Sequence, residues 1–208
     1  MISQNRILAL AALSAAFGPA TLTAQDQWLS ETSCSEAAHA IVNEGITAWG
    51  NVEHGRAKGM YQAALVVDPD CTAAKIALAD MANGAEWGTR SAQMEALANV
   101  TGTPAEMAWL DVMKSSNGPS TSYEKAQESP DDALFHYWGS WSEESGLVID
   151  ALATFAERFP SLAAGAFNTL AYAYAQGDGV DADEVKSREF LRSYLRLYNE
   201  ANAHDSFA

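Results

Sequence analysis

The chain has 208 residues, 48% of them apolar and 19% charged, with 14 Gly, 6 Pro and 2 Cys, a balance that excludes a disordered or collagen-like chain. Twelve basic residues stand against 27 acidic ones, a formal net charge of -15, so the field of the chain repels a nucleic-acid backbone and no nucleic-acid partner is expected. Two cysteines are too few for a structural zinc site or a disulfide scaffold, and enough for one bridge.

Residues 1–24 contain one cation, Arg6, no acid, the apolar run Ile7 to Phe17, then Gly18-Pro19 and the small-residue stretch Ala20 to Ala24. That order predicts a secretory signal peptide, cleaved to leave a mature domain over 25–208 in the periplasm or outside the cell. The apolar run falls short of the roughly 20 residues that span a bilayer, so no membrane span is expected after processing. Cys34 follows Glu31, Thr32 and Ser33 instead of an apolar lipid-attachment box, and a lipoprotein is not expected.

Beyond residue 30, alternating β-branched runs are almost absent, and Ala-rich stretches with apolar residues three and four apart predict an all-α chain. Helix starts are predicted at Ser33 with Glu36, Thr103 with Glu106 and Ser129 with Asp132, where a side-chain acceptor and an acid meet orphan backbone donors. Pro104 and Pro130 suit first helical positions, which have no amide to lose. Stops are predicted at Trp49-Gly50-Asn51, Asn83-Gly84, Asn117-Gly118-Pro119 and Gly177-Asp178-Gly179. The punctuation yields about eight or nine helices of roughly 10 to 15 residues.

From Ala38 onward, Ile41, Gly45, Ala57, Tyr61, Ala64 and Pro69 follow one another at spacings of 4, 12, 4, 3 and 5. These are the offsets at which a helical hairpin of about 34 residues needs a knob, a small residue at its tight crossing, further small residues, an aromatic plug and a stop. Here the chain resembles the tetratricopeptide-repeat superfamily, although Glu44 and Ala48 stand where that family prefers an aliphatic and an aromatic residue. Near the C-terminus, Leu170, Ala171, Tyr174, Gly177, Gly179, Val180, Asp183 and Lys186, with Leu191 and Tyr194 beyond, look like the Sel-like variant with its longer turn.

The resemblance implies a right-handed α-solenoid of stacked antiparallel helix hairpins: a clear repeat over 38–71, a degenerate one over 72–100, an inserted helix over 103–116, a degenerate repeat over 130–160 and a last repeat over 164–199. In that geometry Cys34 and Cys71 each begin a first-type helix one repeat apart, and a Cys34–Cys71 disulfide is expected; two buried free thiols are the alternative. The inner groove would be lined by His39, Asn43, Trp49, Asn168 and Tyr172, with Asn side chains bonding an extended peptide backbone beside aromatic packing. Ala201 to Ser206 looks like the opening of a further helix, which makes the C-terminal end a candidate self-association surface.

Chemistry is sparse. His39, His54, His136 and His204 never pair at the spacing of a helical metal site. His204-Asp205-Ser206 has no nucleophile elbow and its neighbours cannot face one another. The acidic turn Asp178, Asp181, Asp183 and Glu184 places Val180 and Ala182 where a calcium loop needs oxygen ligands. No catalytic residue, metal or cofactor is therefore expected. The expected function is binding or scaffolding of a protein or peptide, with basic patches on the partner matching the acidity of the chain. The rival is an enzyme or small-ligand receptor with a pocket between helices, whose candidate acids are Glu106, Asp111 and Glu143.

Overall fold

The Ala-rich segments fold as ten α-helices among the residues that the computed structural model describes, 27–82 and 87–202, with 87–89 and 201–202 described by their backbone alone. They are α1 (Glu36–Gly50), α2 (His54–Val67), α3 (Thr72–Asp80), α4 (Trp87–Ala96), α5 (Pro104–Lys114), α6 (Gly118–Glu128), α7 (Ala133–Gly139), α8 (Val148–Arg158), α9 (Ala164–Gln176) and α10 (Glu184–Asn202), with a 3-10 turn at Glu143–Ser145. Among the described residues there is no strand, and no helix is long and apolar enough to cross a membrane. The expected signal peptide at 1–24, the stop at Asn83-Gly84, His204 and the chain from 203 onward lie outside the described residues.

Local signals place some boundaries and miss others. At α5, Thr103 Oγ1 accepts from the Glu106 amide at 3.2 Å and the Thr103 amide donates to Glu106 Oε2 at 2.8 Å, a complete capping box with Pro104 in the first turn. Ser33, by contrast, does not cap α1, which begins at Glu36 behind Ser35. Its amide and hydroxyl both donate to Glu106 at 3.0 Å, because a buried carboxylate is a stronger acceptor than a neutral local group. Ser129 likewise starts no helix and instead follows the end of α6. Asp132 precedes α7, its carboxylate accepts the Ser30 amide at 2.6 Å, and Pro130 stays in the turn. Asn117-Gly118-Pro119 opens α6 as well as separating it from α5, which adds a helix that the stop signal hid. Gly177 closes α9 in the left-handed conformation at φ 73°.

Packing starts at α1 and α2. A methyl group at Gly45 would lie 2.5 Å from Tyr61 Cε1, so the glycine lets the Tyr61 ring lie directly on the α1 backbone. Ala38, Ala57 and Ala64 are fully buried around that contact. In α3, Thr72, Ala73, Ala74, Ile76, Ala77 and Ala79 are all buried, as in a helix surrounded by others. In α8 the buried residues Ile149, Leu152, Phe155 and Ala156 form one stripe. Gly165, near the start of α9, sits so close to the end of α1 that a Cβ would meet the Gly50 carbonyl oxygen at 2.6 Å.

A non-helical segment ahead of α1 completes the core. Trp28 is 2% exposed and Leu29 fully buried. The Trp28 ring packs edge-on to Tyr137 and stacks on Phe155, its indole N–H donates to Thr47 Oγ1 at 2.8 Å, and its carbonyl accepts the Leu134 amide at 3.0 Å. Cys34 and Cys71 form a disulfide across 37 positions. Cys71 itself precedes α3, and Cys34 lies two residues before α1, so neither is the first helical residue that the sequence suggests. Phe190 of α10 packs against Tyr174 and Phe167 of α9, while Val185, Leu191 and Leu195 of α10 are exposed.

Candidate functional site

The residues expected to line a groove divide among separate surfaces. His39 and Asn43 line a cavity of about 340 Å³ with Trp28 and Leu162. Asn43 is occupied by the chain's own backbone: Oδ1 accepts from the Trp28 amide at 2.7 Å and the Leu29 amide at 3.4 Å. Trp49 lies in a different cavity, Asn168 is exposed on α9, and Tyr172, 63% exposed, lines a third cavity.

The cavity at Trp49 is the largest of these, about 590 Å³, within the range of about 300–1,000 Å³ usual for ligand sites. Its wall is built from the ends of several helices. Trp49 closes α1, and its ring meets Trp138 of α7 at 5.2 Å and His54, the first residue of α2, at 6.3 Å. Met113 and Val112 come from α5, Pro119 from α6, and Trp141 from the segment after α7. Helix ends suit this use because a terminating backbone can leave a large side chain half-covered, whereas a mid-helix stripe is taken up by the neighbouring helix.

Trp141, 45% exposed, also lines a second cavity of about 400 Å³ formed with Leu147, Ile149, Tyr172 and Asp178. The two cavities thus share Trp141 in their walls, and their linings together make an aromatic and aliphatic patch. Val52, Trp141, Leu147 and Tyr172, all among the large exposed apolar side chains of the described residues, lie on it. Clustered exposure of this kind marks interaction surfaces, whereas single exposed apolar residues do not. Trp138, Trp141, Leu147 and Asp178 were not foreseen as site residues. The weak available signal was the three-residue spacing of Trp138 and Trp141, ordinary for a core stripe and unusual at a helix end.

Electrostatically the larger cavity is self-compensated. Arg90 Nε and an Arg90 terminal nitrogen both donate to Asp80 Oδ1, at 2.9 and 2.7 Å, and the same nitrogen donates to the Met113 carbonyl at 3.1 Å. Burial pushes the Tyr137 phenol above its ordinary range, so that hydroxyl stays neutral. Trp138 Nε1–H is buried without a protein acceptor. In the smaller cavity Asp178 stands with no cationic side chain in the lining.

The acids of the enzyme alternative have other tasks or stand apart from one another. Glu106 is fully buried and accepts from the amides of Ser33, Ala73 and Thr103 and the Ser33 hydroxyl, tying the N-terminal segment to α3 and α5. Asp111 and Glu143 are exposed, on α5 and the 3-10 turn. A buried carboxylate spent on four donors and two exposed ones on separate elements do not form an acid–base pair. In the acidic turn, Asp183 Oδ1 accepts the Val185 and Lys186 amides and so caps α10. A further cavity of about 220 Å³ contains His136, Ser140, Ser145 and Arg158, whose polar atoms are bonded to the carbonyls of Pro130, His136, Ser140 and Ser142. Among the described residues no group of three or more His, Cys, Asp or Glu side chains gathers as metal ligands do. Comparison of the chain with protein-family models, with curated proteins and with solved structures returns no match.

Proposed function

We propose that this chain is an exported, non-catalytic module that binds a protein or peptide segment, built on tetratricopeptide-like helix hairpins stacked as a solenoid. The observation that carries the binding reading is the sharing of Trp141 by the walls of two cavities, which gives a track with two seats rather than one closed pocket. Rigid Trp and Tyr side chains at such a track supply large contact areas at low entropy cost and dominate binding energies where they occur. The spacing from Gly45 to Tyr61 and their contact support the repeat reading, and the disulfide suits an oxidising compartment such as the periplasm. The larger cavity also has the size of a small-ligand pocket, which makes a small-ligand receptor the second reading.

Selection of peptides from a displayed random library on the mature protein, followed by measurement on Trp141→Ala, tests the proposal. Trp141 is half-exposed, so its removal leaves the core intact. Selected peptides are expected to lose about tenfold or more in affinity on the variant, the behaviour of a binding hot spot. Peptides that bind both proteins equally, or a library that yields none, would overturn the proposed track.

A further inference from the structure

The two seats differ in charge. In the larger, the ionised side chains in the wall, Asp80 and Arg90, neutralise one another at 2.7 Å. The rest of the wall is mainly aromatic and aliphatic, Trp49, Trp138, Met113 and Pro119 among it, with His54, Ser115 and Tyr137 as its polar members, a surface that offers a ligand chiefly dispersion. In the smaller, Asp178 is exposed, makes no side-chain hydrogen bond or ion pair among the described residues, and shares the described lining with Trp141, Tyr172, Leu147 and Ile149 but with no Lys, Arg or His. An aliphatic floor, two aromatic rings and one uncompensated carboxylate match a side chain with a long apolar stem and a cationic head. The net charge of -15 also favours a cationic ligand.

We propose that the bound peptide places an apolar side chain in the larger cavity and a lysine or arginine in the smaller one, beside Asp178. This assignment rests on reading the two cavities as a peptide track. Asp178 acts as a specificity residue: its carboxylate and the two rings favour the cationic head over a neutral one, while the affinity common to all ligands comes from the apolar seat.

The test uses capped peptides in which phenylalanine and lysine are separated by about one to four glycines, each paired with a glutamine counterpart, titrated against the mature protein with indole NMR shifts as the readout. At the best spacing the lysine peptide is expected to bind about three- to tenfold tighter than its counterpart, the combined scale of an exposed cation–π contact and an exposed ion pair. Asp178→Asn is expected to cut that ratio to the part the two rings supply, about threefold or less, with the loss falling on the lysine peptide. High salt is expected to shrink the ratio in the wild type. Equal binding of both peptides, with Trp141→Ala still weakening both, would overturn the basic seat and leave the track standing. Absence of any shift across the whole series would overturn the track and the basic seat together.

Discussion

The Trp28 amide donates to the side-chain oxygen of Asn43 at 2.7 Å, and the Leu29 amide shares the same acceptor at 3.4 Å. One carboxamide on α1 thus holds a non-helical segment of chain whose next contacts are Asp132 for Ser30 and Glu106 for Ser33. Asn43→Ala leaves the two amides without this acceptor next to a buried tryptophan. The expected cost is about 2 kcal/mol, read as a lower midpoint with unchanged slope in urea denaturation. A change below about 0.5 kcal/mol would mean that the segment is held by its side chains alone.

The Gly45–Tyr61 contact leaves no room for a methyl group. Gly45→Ala is expected to destabilise by about 1–3 kcal/mol, since the Tyr61 ring is itself 2% exposed and has nowhere to move. The double variant Gly45→Ala, Tyr61→Leu should cost less than the sum of the single ones, because the smaller side chain vacates the clash. Strict additivity in a double-mutant cycle would show that the clash is relieved elsewhere.

The disulfide closes a loop across 37 positions between the N-terminal segment and α3. Replacing both Cys34 and Cys71 by serine is expected to cost about 3–4 kcal/mol in the chain-entropy account. Protein purified from its native compartment should keep its intact mass on alkylation under non-reducing conditions; two added alkyl groups would contradict an oxidising destination.

His136 lies against Phe159 and Arg158, and burial first, then the Arg158 charge, holds its imidazole below the ordinary histidine range. The unfolded chain therefore takes up this proton first. The stability linked to neutral His136 is present above the unfolded value of about 6.5 and is lost as the pH falls from there through the lower folded value. His136→Gln should flatten that part of the stability profile measured by thermal melts from about pH 7.5 downward. An unchanged slope would place the acid sensitivity in other groups.

Legibility in the sequence followed the range of the interaction. The Thr103–Glu106 box, the glycine end of α9 and the hairpin contact at Gly45 and Tyr61 are read from residues within one or two turns, or from one repeat length, and the structure contains each of them. Ser33 and Ser129 carry equally good local signals and fail, since Glu106 offers a buried carboxylate that Ser33 turns to, 73 positions away, and Asp132 is engaged by Ser30 from 102 positions away. Asn43 was expected in a groove for an extended peptide, and its engagement by the amides of Trp28 and Leu29 was not legible.

The sequence by itself determined the helical class and the acidity, because periodicity and charge are properties of the chain; the Cys34–Cys71 bridge was one of two open outcomes until the fold brought the two residues together. Tertiary structure alone decided which tryptophans are core and which remain half-covered: Trp28 and Trp109 are buried, whereas Trp141, just past the end of α7, is left facing two cavities. Burial of a large side chain depends on which distant helix covers it. No local pattern encodes where that cover stops.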